Sequence, residues 1–250
     1  MKTKKTKIVF FTGSGISEES GLHTFRGHNG LWHEYRVEEV ASIEGWMDNP
    51  QRVLEFYNKR RREMMNALPN KAHRSIGLLQ EDKHTEVSVI TQNIDTLHEQ
   101  GGAHNVIHLH GRIDQLKCFD HSTLYPYDKD VEIGDTCEKG SQLRPNVVWF
   151  GEALDHSLIN KATELISHAD YLVIVGTSLL VQPAAGLIHN VNKNCTVYYV
   201  APDEEKNMDV FMNRKNPFRF IKEKATVGVD MVISDIMGSP LSARHRGHSH

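Results

Sequence analysis

The sequence predicts an open α/β sheet of the Rossmann-like kind, carrying a smaller inserted part made of a helical module and a loop-rich segment. Two observations point to the sheet. Short β-branched and aromatic runs recur at residues 7–11, 87–91, 106–109, 147–150, 171–176 and 196–200, and several are almost continuously apolar, as strands covered on both faces must be. Helix-period stretches at residues 157–168 and 183–192 lie between them, which gives the strand–helix–strand alternation of a parallel sheet.

The alternation is broken twice. Residues 30–79 hold helical patterns such as PQRVLEFYNKRRREMMNAL with no strand among them, and are expected to form a helical insertion. Residues 118–145 are polar, contain Pro126, Gly134, Gly140 and Pro145, keep no sustained period, and are expected to form a loop-rich ribbon. The Rossmann-like domain is then divided into residues 1–29, 80–117 and 146–238, and the polar residues 239–250 are read as a disordered tail.

Composition narrows the function classes. The chain has 250 residues, 39% hydrophobic and 24% charged, enough for one large domain with insertions. A net charge of -3 with both signs interspersed offers no basic footprint for nucleic acid. No segment approaches the roughly 20 apolar residues of a membrane span, and the apolar stretch at residues 8–11 is too short for a signal-peptide core. Cys118, Cys137 and Cys195 are too few for a disulfide framework and fit a reducing compartment. The expectation is a cytoplasmic monomer with no nucleic-acid or membrane partner.

Four polar segments stand at strand ends. The first strand runs into Gly13-Ser14-Gly15-Ile16-Ser17, where glycines let the backbone approach a phosphate. Glu18 stands where a dinucleotide fingerprint has its third glycine, which counts against plain hydride transfer. Thr91-Gln92-Asn93-Ile94-Asp95 closes the second strand with donors and acceptors suited to ribose hydroxyls and a carboxamide. In His108-Leu109-His110-Gly111, strand alternation puts both imidazoles on one face, so that one serves chemistry and the other packs beneath it. Gly176-Thr177-Ser178 supplies a second set of phosphate or ribose contacts.

Together GSGISEESGLHTFRG, TQNID, HLHG, VVWFGE and GTSLLVQPAA stand in the order and spacing of the sirtuin family, which the chain resembles from about residue 7 to residue 235. The resemblance implies a protein-lysine deacylase in which NAD, a co-substrate rather than a hydride carrier, meets an acyl-lysine peptide in a cleft between two domains. It implies a cofactor-binding set of Gly13, Ser14, Gly15, Ile16, Ser17, Ser20, Gly21, Thr24, Phe25, Arg26 and Trp32, with Phe25 shielding the reacting face and Arg26 near the phosphates. It adds Gln92, Asn93, Ile94 and Asp95 at the nicotinamide ribose, Gly176, Thr177 and Ser178, and Ala201 and Gly228 toward the adenine. By the same resemblance His110 is the general base, with Asn93 and Asp95 completing the catalytic set. Val148, Phe150, Gly151 and Glu152 pair with the substrate peptide as an added strand. The products would be nicotinamide, free lysine and O-acyl-ADP-ribose.

Tyr57 and Arg60 are i and i+3 on the helical insertion and resemble the Tyr-x-x-Arg signature of the branch that accepts succinyl and malonyl groups. The chain also departs from the family. Where most members carry two C-x-x-C pairs for zinc, this one has Cys118 with His121 and Cys137 with Gly140, so a zinc-free ribbon is expected. Residues 200–202 lack the asparagine common after that strand, which leaves the adenine contacts unassigned. Two other readings share these motifs: an NAD glycohydrolase or ADP-ribosyltransferase, separated by its product, and a non-catalytic NAD sensor, which would not need a general base.

Overall fold

The computed structural model describes residues 4–24, 35–120, 123–204 and 216–238. Phe25, Arg26, Trp32, His121 and the tail lie outside the described residues.

Six parallel strands form the large sheet: β1 (Thr6–Thr12), β2 (Thr85–Thr91), β3 (Val106–His108), β7 (Tyr171–Val175), β8 (Thr196–Ala201) and β9 (Phe218–Lys222). Their order is β3-β2-β1-β7-β8-β9, so the winding reverses between β1 and β7. Three further strands, β4 (Gly111–Cys118), β5 (Leu124–Pro126) and β6 (Leu143–Val147), make a small antiparallel sheet in the order β5-β4-β6. This is the expected Rossmann-like fold with a smaller module, although the small sheet reaches beyond residues 118–145 on both sides.

Strand alternation distributes the core. Val9, Phe11, Leu172, Ile174, Val197 and Tyr199 pack on one face of the large sheet against helix α6 (His156–Ser167) and a 3-10 segment, Ala184–Asn190. Ile8, Phe10, Val173, Val175, Tyr198 and Val200 pack on the other, against α4 (Lys71–Gln80) and α7 (Ala225–Met237). Helix α4 lies inside the helical insertion of residues 30–79 yet shares the core of the large sheet. The remaining helices of that stretch, α1 (Val37–Val40), α2 (Ile43–Asp48) and α3 (Pro50–Asn66), form a second core with the small sheet, built around Val53, Leu54, Tyr57, Ile113, Leu116 and Trp149. Sequence sets the start of α3: Asn49 accepts a bond from Arg52 N at 3.0 Å and Pro50 opens the first turn.

Two expected elements are corrected. Residues 147–150 are not a strand of the parallel sheet; Val147 ends β6, and the apolar run is buried because Val147 and Trp149 fill the second core. The sixth parallel strand is β9, whose FRFIK pattern is half polar because it sits at the sheet edge. Within the expected helix of residues 183–192 the chain forms a 3-10 segment, Ala184–Asn190, rather than an α-helix.

Candidate active site

The site is built where β1 and β7 meet, at the carboxyl ends of the strands and the reversal of the winding, which is where open α/β sheets hold ligands. The two turns leaving these strands are fastened to each other. Gly13 N donates to Val175 O at 3.0 Å and Gly15 N to Gly176 O at 2.9 Å. A Cβ on Gly15 would lie 2.7 Å from Gly176 Cα, and one on Gly176, whose φ is +61°, would lie 2.4 Å from Ile16 N. These glycines thus let backbone meet backbone.

A cavity beside them is lined by Gly15, Glu18, Gly176, Ala201, Pro202 and Lys224, among others. Glu19 crosses above it, accepting from Thr226 N at 2.9 Å and Thr226 Oγ1 at 2.8 Å and so tying the first turn to the start of α7. Gly228 serves packing: a Cβ there would stand 2.3 Å from Val200 Cγ1. Ile16 puts its side chain into the sheet core, and its carbonyl accepts from Asn70 Nδ2 at 2.7 Å. Asn70 also reaches Ser20 Oγ at 3.0 Å. Gly21 turns the chain with a φ of +86° and is exposed, while Thr24 and Ser178 are half-buried.

A second cavity gathers Ser14, Ser17, Arg60, Asn93, Ile94 and Asp95, with Leu22, His23 and Met64. Within it the Ser17 hydroxyl accepts from Asn93 Nδ2 at 3.1 Å and donates to Asp95 Oδ2 at 2.9 Å. Burial pushes the Asp95 carboxyl up, and bonds from Leu97 N and Ser17 oppose it. Gln92 joins the two halves of the crevice, its Nε2 donating to Thr177 Oγ1 at 2.9 Å.

His110 follows β3. Its Nδ1 lies 2.9 Å from Gln92 O, an acceptor, so Nδ1 carries the proton and Nε2 keeps a lone pair. Burial holds its imidazole below the usual range, opposed by the bond to Gln92.

Arg60 is 3% exposed and pairs with Glu63 Oε2 at 2.7 Å, so it is no part of a solvated basic face. Tyr57 is buried among aromatic rings, with Phe56 at 5.0 Å and Trp149 at 6.4 Å, and burial pushes its hydroxyl up. The structure brings Arg60, and not Tyr57, to the wall of the second cavity.

The VVWFGE segment is fixed from below. Val148 N donates to His110 O at 2.9 Å, Phe150 N to Ala41 O at 2.8 Å, and Gly151 adopts a φ of +91°. The Glu152 carboxylate is engaged within the chain, taking Arg144 at 2.7 and 2.9 Å and Trp149 N at 2.7 Å. The buried Arg144 guanidinium lies 3.2 Å from the Trp149 ring centroid.

Behind the site runs a buried chain of polar groups that no sequence motif marks. His73 accepts from Asn70 N at 3.3 Å, its ring meets that of His98 edge-on at 4.9 Å, and His98 Nε2 lies 3.0 Å from Thr12 Oγ1. Thr12 donates to Thr91 Oγ1 at 2.9 Å, which in turn accepts from Asn93 N at 3.1 Å. The one sign in the sequence is that His98 stands three residues after Asp95, the last of TQNID.

The ribbon does not fit a four-thiolate metal cage. Cys118 and Cys137 are both free and buried; Cys118 Sγ lies 3.7 Å from the Tyr125 hydroxyl, which bonds Glu138. Burial and the contact with Cys137 push the Cys118 thiol up, and the same contact holds the Cys137 thiol down, so the two face each other as a pair.

Residues 13–183 match the Sir2 family profile. The chain belongs to the Sir2 family. This Sir2-family chain is 45% identical over 196 residues to the NAD-dependent protein deacylase of Helicobacter pylori, covering 78% of this chain and 84% of the relative. It superposes with a TM-score of 0.82 at 34% identity on a Sir2 homologue solved with NAD, covering 94% and 91% of the two chains. A Sir2 structure holding a deacetylated peptide and 3′-O-acetyl ADP-ribose matches with a TM-score of 0.75 at 30% identity, covering 92% and 93%.

Proposed function

We propose that this protein is an NAD-dependent protein-lysine deacylase that passes the acyl group to ADP-ribose and releases nicotinamide and free lysine. One observation carries the reading: the imidazole of His110, beside the Gln92–Asn93 turn at the carboxyl end of the parallel sheet, has Nδ1 held by Gln92 O and no partner at Nε2 among the described residues. The Nδ1–H bond to Gln92 sets tautomer and orientation, so Nε2 can accept the proton of a ribose hydroxyl. General-base assistance of this kind is typically worth about 10²- to 10⁴-fold. The Asn93–Ser17–Asp95 chain presents amide, hydroxyl and carboxylate at one cavity, which suits a ribose and a carboxamide.

For the acyl group we favour an acidic one, succinyl or malonyl. A buried guanidinium on the wall shared with Asn93 and Asp95 supports this, since Arg60 can hold a carboxylate bidentately. Tyr57, which packs in the aromatic core away from this wall, takes no part in that contact. The substrate peptide would lie along residues 148–152. We also read the protein as a cytoplasmic monomer acting without nucleic acid or membrane. Among the described residues no helix is long and apolar enough to cross a membrane.

Mass spectrometry of acetyl-, succinyl- and malonyl-lysine peptides, with and without NAD, tests the proposal. Deacylated peptide with stoichiometric O-acyl-ADP-ribose is expected. ADP-ribose formed at the same rate without peptide would instead identify a glycohydrolase, and no turnover of NAD would identify a sensor.

A further inference from the structure

Two histidines on one strand end are bound so differently that their charges must differ. His110 has an acceptor at Nδ1 alone among the described residues. His108 has one at each ring nitrogen: Asn93 O lies 3.1 Å from Nδ1, and Glu99 Oε1 lies 2.7 Å from Nε2. A carbonyl oxygen and an ionised carboxylate only accept, so both nitrogens of His108 must donate. We infer that His108 is a positioning residue, held as an imidazolium beneath the site, whose Nδ1–H fixes the main chain of Asn93 while Glu99 balances its charge.

The surroundings are consistent with this charge state. Burial pushes the Glu99 carboxyl up, but apart from His108 a backbone bond and the charge of Arg112 oppose that and favour the ionised form. Arg112 NH1 lies 3.5 Å from the same carboxylate oxygen and is itself held by Asp114 at 2.7 Å. Asp95 is the other acid that feels His108, and His98, close by, is kept neutral by burial.

The geometry makes His108 more than filler. Strand pairing sets His108 opposite Thr91. The next two carbonyls of that chain, Gln92 O and Asn93 O, are gripped by His110 and His108 respectively. The two imidazoles therefore fix consecutive peptide groups of the turn that carries Asn93 and Asp95, and a displacement of about 1 Å in such a turn can cost on the order of 10²-fold in rate.

This assignment of role rests on the deacylase reading; the charge state does not. ¹⁵N-detected NMR of the imidazoles at pH 7.5 reads the protonation pattern without turnover, with His108→Asn and His110→Asn supplying the assignments. Two protonated nitrogens on His108, beside one protonated and one bare nitrogen on His110, are expected. Glu99→Gln should return His108 to a single proton. A bare nitrogen on His108 in the wild-type protein overturns the inference. For the role, His108→Asn keeps a donor where Nδ1 stands and should retain kcat within about threefold. His108→Leu should lose about 10- to 100-fold in kcat with KM for the acyl peptide unchanged. Wild-type kcat in the Leu variant, or equal losses in both variants, overturns it. If the wild type makes no O-acyl-ADP-ribose, the deacylase reading fails, while the spectra still decide the charge of His108.

Discussion

His110 Nδ1 donates to the main-chain oxygen of Gln92 across 2.9 Å, which leaves Nε2 as the ring's free base. Burial lowers the imidazole from its ordinary 6.5, so the competent, neutral form persists to lower pH than in a free imidazole. We expect the acid limb of kcat/KM to lie below pH 6.5, read from a rate profile with the acyl peptide well below its KM. His110→Ala should abolish measurable deacylation while NAD binding by calorimetry largely survives. Near-wild-type turnover in that variant would remove His110 from the mechanism.

Arg60 reaches the cavity of Asn93 and Asp95, while Tyr57 lies in the aromatic core. If an acyl carboxylate is held there, each charge-assisted bond contributes roughly 1.5–3 kcal/mol. Arg60→Met, which removes both bonds of a bidentate contact, should then shift the succinyl-to-acetyl preference by about two to four orders of magnitude, while Tyr57→Phe leaves it unchanged. Relative rates on the three acyl peptides that stay the same would sink the carboxylate pocket.

His73 makes the protein acid-sensitive. Burial holds its imidazole down to about 4 from 6.5, so between these values the unfolded chain binds a proton that the folded one refuses. Stability is therefore full above pH 6.5 and falls as the pH drops toward 4, by at most about 3 kcal/mol from this residue. His98, shifted in the same direction, adds to the loss. Thermal melts at stepped pH should show Tm falling through this window. His73→Gln should flatten the slope, and an unchanged slope would exclude His73 as its source.

Gly176 has a φ of +61° and no room for a Cβ, since one would stand 2.4 Å from Ile16 N. Gly176→Ala should cost about 2–4 kcal/mol in urea unfolding, through overpacking and a left-handed residue. The same change should weaken NAD binding by parting the two turns. A variant as stable as the wild type would mean that the turns separate freely.

The fold was legible where one interaction dominated. Residues 7–11, 87–91 and 171–176 sit in the middle of the sheet and are apolar on both faces, so composition alone marks them. β9 escaped because an edge strand keeps Arg219 and Lys222 in its pattern, and residues 147–150 misled because a second core demands the same apolar composition. The polar segments at strand ends were readable as a site because strand ends are where this topology holds ligands. The buried partners of His108 and Arg144 were not readable: a side chain's charge in sequence says nothing of whether a carboxylate from another element will meet it.

Ile8 lies beside Tyr171 in the middle of the sheet, although β2, β3 and the whole second core stand between them in the chain. During synthesis β1 and β2 can pair early, but the other flank of β1 stays bare until Val175 has left the ribosome. At roughly 5–20 residues per second that interval lasts several seconds. The central strand of the large sheet therefore keeps one edge uncovered until the second half of the chain has been made.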